Sequence, residues 1–256
     1  MTTLIARASE SNHWYTREGN PMYTVESSKG GQRNTTLRDA RKMGLVPSVT
    51  TVMKCAASPG LEAWKLNQMM LAALTLPRIP DEPEEDFIAR IQRDSKEHAK
   101  MAAERGTAVH TAIESMYSGI MYSEFAEHQA GVYREIEKEF GITEFQPEKA
   151  FAHELGFGGK VDLFTPSYQD CGLVIDIKTK EFSDPAKVEG YDEHMMQLSA
   201  YRVGLGLPTA ACANVFVSVT VPGLVAIKKW EKEDLDRGWV MFQSLLTFWQ
   251  SKNQHK

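Results

Sequence analysis

The chain has 256 residues, of which 42% are hydrophobic and 25% charged, and carries a formal net charge of −5. That is ordinary globular composition, with length for one large domain or two small ones, and it argues against a protein that coats nucleic acid through bulk positive charge. No apolar run approaches the ~20 residues needed to cross a bilayer, and MTTLIARASESNHWY lacks the apolar centre of a secretory signal. Cys55, Cys171 and Cys212 are too few and too scattered for a disulfide framework or a CxxC metal site, so a reducing cytoplasm and no membrane partner are expected.

In chain order, HWYTREGNPMYTV (13–25) reads as a hairpin about a GNP turn, and ESSKGGQRNTT (26–36) as an exposed loop. Ser58 can cap a helix that has Pro59 in its first turn. The prolines of TLPRIPDEPEED then mark a break. From Glu84 to Tyr117 the pattern is helical, with Phe87, Ile91, Met101, Val109, Ile113 and Met116 supplying apolar faces. A further helix is expected over 123–140. Strands follow near 147–155, 159–165 and 172–180, then a helix over 193–204, strands near 212–220 and 224–230, and a terminal helix over 231–251.

Two of the strands carry an aspartate among apolar neighbours, Asp162 in VDLF and Asp176 in LVIDIK. Burying a carboxylate without a partner is expensive, because the ion loses its hydration. Alternation places Val161 and Leu163 on one face and Asp162 on the other; on the next strand Asp176 and Lys178 share the face opposite Ile175 and Ile177. Paired as a hairpin, the strands would gather two carboxylates and an ammonium. Such a patch suits a hard divalent cation, held by Asp162, Asp176 and a backbone carbonyl such as that of Ile177. Lys178 would then orient a water and stabilise charge on a phosphate. The commoner meaning of D-x-K alone is a structural salt bridge.

Other residues fall into positions that could join this patch. His110 and Glu114 are one helical turn apart, as are Gln197 and Tyr201, and Glu148 opens the first strand. Each has an ordinary structural role open to it. Taken in order, Gly106 to His110, Gly159 to Asp162, Asp176-Ile177-Lys178-Thr179 and Gln197 to Tyr201 resemble the motifs of the RecB-like branch of the PD-(D/E)XK nucleases. VPSVTTVMK and the Trp-containing helix after it are similar to the entry of the mitochondrial genome maintenance exonuclease group and its phage relatives.

The resemblance covers about 46–230 and implies an α/β fold: a restriction-endonuclease-like core with a mixed central sheet flanked by helices, and a helical region before it. It implies a hairpin and loop over 1–45 and a nuclease domain over 46–256, helical over 46–145 and sheet-based over 146–256. The implied activity is hydrolysis of DNA by a metal-dependent exonuclease acting on single strands or free ends, in replication, recombination or repair, with Mg²⁺ or Mn²⁺ as cofactor. Asp162 and Asp176 would be ligands, with His110 an added ligand and the Ile177 carbonyl completing the set. Lys178 would polarise the attacking water, and Gln197, Tyr201 and Thr179 would hold substrate. Glu148 and Glu114 are the weaker ligand candidates. Relatives in this branch that hold an iron–sulfur cluster use four cysteines, which three dispersed ones cannot supply, so no cluster is expected. A bacterial or phage-infected cytoplasm and recombination or replication proteins as partners are the implied setting.

Arg90, Arg93, Lys96, Lys100 and Arg105 recur along one helix and could track a phosphate backbone, or form a solvated face balanced by Asp94, Glu97 and Glu104. Trp14, Tyr15 and Trp64 could stack on unpaired bases. The alternatives are a nicking or structure-specific endonuclease of the same fold, a non-catalytic DNA-binding recombination accessory protein, and a hydrolase of another phosphoester.

Overall fold

The computed structural model describes residues 13–28, 30–56 and 58–255. The chain forms two compact units, one made by the residues up to 108 that follow 57, the other by 13–56 together with 109–255.

The larger unit opens with β1 (Trp14–Tyr15), β2 (Thr24–Glu26), β3 (Gln32–Asn34), α1 (Leu37–Met43), β4 (Val46–Pro47) and α2 (Val49–Met53). The hairpin expected over 13–25 is present in short form about the GNP turn: Tyr15 bridges Pro21, the Thr16 N–H donates to the Asn20 carbonyl at 2.8 Å and the Met22 N–H to the Trp14 carbonyl at 2.8 Å. β1 pairs in addition with β4, and the polar stretch expected to be a loop forms the β2–β3 hairpin. Trp14 and Tyr15 are almost wholly enclosed, so the strand that carries them is drawn into the core. That burial also removes both rings as platforms for unpaired bases. α1 and α2, absent from the sequence expectation, are short helices capped by Thr36 and Ser48 side chains.

The smaller unit holds α3 (Pro59–Thr75) and α4 (Glu84–Met116) as far as Ala108. Pro59 stands in the first turn as expected, but Ser58 makes no side-chain cap, its backbone lying at φ −115°, ψ 79°. Arg90 fixes the proline-rich break between the helices by pairing with Glu82 at 2.6 Å and donating to the Pro77 carbonyl at 2.8 Å.

From Val109 onward the chain belongs to the larger unit. It continues as α5 (Ala126–Phe140), β5 (Gln146–His153), β6 (Phe157–Thr165), β7 (Leu173–Lys180), α6 (Asp192–Gly204), β8 (Ala211–Ser218), β9 (Val225–Trp230) and α7 (Lys232–Asn253). The strands form a five-stranded sheet in chain order, antiparallel except for the parallel β7–β8 pair that α6 connects. One apolar layer includes Phe157, Val161, Phe164, Leu198, Phe242 and Trp249, which bury α6 and α7 against the sheet. The other includes Val109, Ile113, Val132, Ile136, Leu163, Ile175 and Ile177, which bury the end of α4 and α5. This is a mixed α/β architecture with helices on both faces of the sheet.

β6 does not alternate cleanly. Val161 belongs to the first layer and Leu163 to the second, although both were expected on one face. The β5–β6 ladder omits one pair between Pro147–Leu163 and Lys149–Val161, and the β5 residue there, Glu148, has φ 54°. A non-glycine residue in that left-handed region marks a local distortion of the strand. It falls opposite Asp162.

Gly159 marks a close approach on the same strand. A Cβ there would lie 2.8 Å from the Phe151 ring and 3.0 Å from the Tyr201 ring. Gly159→Ala is therefore expected to cost about 1–3 kcal/mol through overpacking. Urea unfolding measures this, and a loss below about 0.5 kcal/mol, the scale of an inconsequential surface change, would show that the approach does not constrain the fold.

Candidate metal centre

The β6–β7 ladder runs from Thr165–Leu173 to Leu163–Ile175 and stops. One further step would pair Asp162 with Asp176, but the strands part there while β7 stays paired with β8 as far as Lys180. The Asp162 carboxylate fills the opening. Its Oδ2 accepts the Ile177 N–H at 2.6 Å, standing in for the backbone acceptor the missing strand would have supplied. The Ile177 carbonyl, on the same side of an extended strand as its N–H, is directed into the same fork.

The end of α4 closes the fork from one face of the sheet. Val109, Ala112 and Ile113 bury its apolar side, and Gln129 of α5 donates to the Ala112 carbonyl at 2.7 Å, pinning the last turns. His110 and Glu114 consequently face the strands. His110 Nε2 lies 3.0 Å from Asp162 Oδ2, and Nδ1 lies 3.6 Å from Glu114 Oε2. With a carboxylate beside each ring nitrogen, the surroundings favour the protonated ring. Burial works against that charge, but the Asp162 and Glu114 carboxylates outweigh it and hold the ring's pKa up to about 10. Burial would likewise raise Asp162, yet the His110 charge and hydrogen bond keep that carboxyl below its ordinary range.

α6 closes the other face, tied to α7 by Ser199 Oγ donating to the Leu235 carbonyl at 2.7 Å and by the Arg202–Asp236 pair at 2.8 Å. Here Asp176 is almost wholly buried, and donors surround it. Lys178 Nζ stands 2.8 Å from Oδ1 and 2.7 Å from Oδ2. Gln197 donates to Oδ1 at 2.9 Å and to the Tyr201 hydroxyl at 2.8 Å, and its own oxygen accepts from Lys178 at 3.1 Å. Burial and the neighbouring Asp162 charge push the Asp176 carboxyl up to about 6 against the pull of Lys178.

Asn214, in the middle of β8, donates to Asp176 Oδ2 at 2.7 Å. Sequence reasoning passed over this residue. The signal was present: an amide interrupts the apolar run ACANVFVS just as the two aspartates interrupt theirs.

Thr179 falls on the face of β7 opposite Lys178, because side chains alternate, and so points away from Gln197. Glu148 is engaged by Lys160 on the adjacent strand. Of the basic row on α4, Arg90 is committed to Glu82, and Lys100 stands 3.7 Å from Glu104.

His110, Glu114 and Asp162 each offer a ligand atom, all within 4.8 Å of one another. A nitrogen and two carboxylates suit a first-row divalent cation or Mg²⁺. The fit has a further sign: Glu114 Oε1 is buried with no hydrogen-bond partner among the described residues. An orphaned buried carboxylate oxygen is costly, and a cation would satisfy it. Asp176 stands outside this triad. Sequence reasoning placed it among the ligands and gave Glu114 a lesser place; Asp176 accepts from Lys178, Gln197 and Asn214, whereas Glu114 Oε1 has no partner among the described residues.

No family model matches the chain, and no curated protein matches it. Among solved structures, the crystal structure of SSO0001 is 14% identical with a TM-score of 0.32, covering 72% of this chain and 86% of its own. An alkaline exonuclease from Laribacter hongkongensis is 13% identical with a TM-score of 0.30, covering 57% of this chain and 83% of its own. Likenesses this remote assign no role to any residue. Among the described residues, no helix is long and apolar enough to cross a membrane.

The raised His110 pKa has a signed consequence for stability. The folded protein binds a proton that the unfolded chain, near pH 6.5, releases. The contribution is complete below about pH 6.5 and is lost as pH rises toward about 10. In chelator, the melting-temperature advantage of wild type over His110→Gln is expected to narrow steadily across that window. An advantage that is flat or grows with pH would contradict the imidazolium.

Proposed function

We propose that the protein is a divalent-metal-dependent phosphodiesterase acting on DNA, and specifically an exonuclease of single strands or free ends. The observation that carries this reading is Glu114 Oε1, buried without a partner among the described residues, beside His110 and Asp162 in a strand fork next to Lys178. The motif resemblance supports DNA as the polymer. It also supports the RecB-like assignment and the nuclease domain over 46–256.

His110, Glu114 and Asp162 would hold the ion, with Asp176 and the Ile177 carbonyl as further ligands, as the motif resemblance implies. When bound, Mg²⁺ or Mn²⁺ supplies Lewis-acid activation and neutralises phosphate charge. To admit it, His110 gives up its second ring proton, so metal affinity rises with pH. Asp162 keeps the fork open while accepting from Ile177. Lys178 is the group placed to orient the attacking water and stabilise charge developing on the phosphate, a contribution of ~100-fold or more for one such donor. Gln197 positions Lys178 and Asp176 together, and Tyr201 buttresses Gln197 from the next turn of α6.

End-labelled single- and double-stranded DNA, incubated with Mg²⁺, Mn²⁺ or chelator, tests the activity. Degradation is expected with either cation and none in chelator; full activity in chelator would overturn the mechanism. A circular single strand should resist, and its linearisation would establish an endonuclease instead.

Asp162→Asn is expected to abolish cleavage, and Lys178→Ala to reduce it at least ~100-fold while calorimetric Mn²⁺ binding persists. Retention of turnover by Asp162→Asn would remove Asp162 from the site. Loss of Mn²⁺ binding in Lys178→Ala would make Lys178 a structural residue.

A further inference from the structure

A line of hydrogen bonds crosses the sheet behind Asp176. Asp176 and Asn214 are directly paired on the parallel strands β7 and β8, and Cys212, two residues before Asn214, pairs with Trp230 on β9. Asp176, Asn214 and Trp230 thus share one face. Trp230 donates its indole N–H to Asn214 Oδ1 at 2.7 Å, and Asn214 Nδ2 donates to Asp176 Oδ2 at 2.7 Å. Asn214 is completely buried.

The direction of these bonds matters. An amide can turn over and present oxygen in place of nitrogen, which here would set an acceptor against a carboxylate. An indole N–H can only donate. By engaging Oδ1 it fixes the amide with the nitrogen toward Asp176. The indole is itself confined: a Cβ on Gly190 would lie 2.6 Å from Trp230 Cζ2, so the loop entering α6 rests directly on the ring. The Lys228 ammonium lies 5.2 Å from its centroid.

We infer that Asn214 and Trp230 are positioning residues that orient the Asp176 carboxylate toward the metal centre, Trp230 acting through Asn214. This rests on the metal-centre reading above. With Asp176 taken as a ligand, as the proposed function has it, the Trp230–Asn214 pair has the role that partners of ligating carboxylates commonly play, where their loss costs ~10–100-fold in metal affinity or activity.

The test uses the full chain and two readouts, Mn²⁺ calorimetry and the indole N–H resonance of Trp230 during a Mg²⁺ titration, assigned with Trp230→Phe. Asn214→Ala should weaken Mn²⁺ binding ~10–100-fold. Trp230→Phe, which keeps an aromatic ring and removes only the donor, should weaken it less. The double variant should bind no more weakly than Asn214→Ala alone, since Trp230 acts only through the amide. The Trp230 resonance should move with Mg²⁺ in wild type and stay still in Asn214→Ala.

Should Asn214→Ala fail to fold, Trp230→Phe and the wild-type titration carry the test. Unchanged Mn²⁺ affinity in either folded variant, with only a lowered melting temperature, would overturn the inference and leave the chain of bonds a structural tie. So would a wild-type Trp230 resonance indifferent to Mg²⁺ while calorimetry shows the ion bound. Wild-type protein that binds neither cation would instead overturn the metal-centre reading itself.

Discussion

The site depends on the parting of β6 and β7 one residue before their two aspartates would meet. Had the ladder continued, Asp162 and Asp176 would have been direct neighbours across an antiparallel pair, where like charges oppose each other. Instead β6 turns at Asp162, opposite the left-handed Glu148, and the carboxylate enters the gap to take the Ile177 N–H. The two acids then face different helices: Asp162 meets His110 of α4, and Asp176 meets Gln197 of α6. The sheet thereby acquires a polar seam between two apolar layers.

The charges in that seam explain its chemistry. Three carboxylates, on Asp162, Glu114 and Asp176, face two cationic groups, His110 and Lys178. The excess is negative, in surroundings where uncompensated charge is expensive. One side is settled: Lys178, Gln197 and Asn214 all donate to Asp176. The other side is held by His110 between two acids, its protonation favoured by them, with one Glu114 oxygen left over among the described residues. A divalent cation among the same atoms would match the charge better than a single proton does. That exchange couples metal binding to proton release.

Much of this was legible in the sequence. The strands of the sheet, α4 and α6 followed from periodicity to within a few residues at their ends, since apolar spacing is set by what each element must bury. The i to i+4 spacing of His110 and Glu114, and the shared face of Asp176 and Lys178, required only helix and strand geometry. The side switch in β6 was not legible, because a glutamate carries no sign of a left-handed backbone. Nor was the pairing of β1 with β4, which depends on burial of Trp14 and Tyr15 by α7 and other elements distant in sequence. Only tertiary packing reveals which carboxylate has its donors already and which does not.

The chemistry proposed for this protein turns on a divalent-cation site formed by His110, Glu114 and Asp162. Anomalous diffraction from crystals soaked in Mn²⁺ tests it most directly. A peak is expected within coordination distance of His110 and of the Asp162 and Glu114 carboxylates, with Glu114 Oε1 now engaged. A strong peak elsewhere on the chain, with His110 still seated between its two acids, would contradict it.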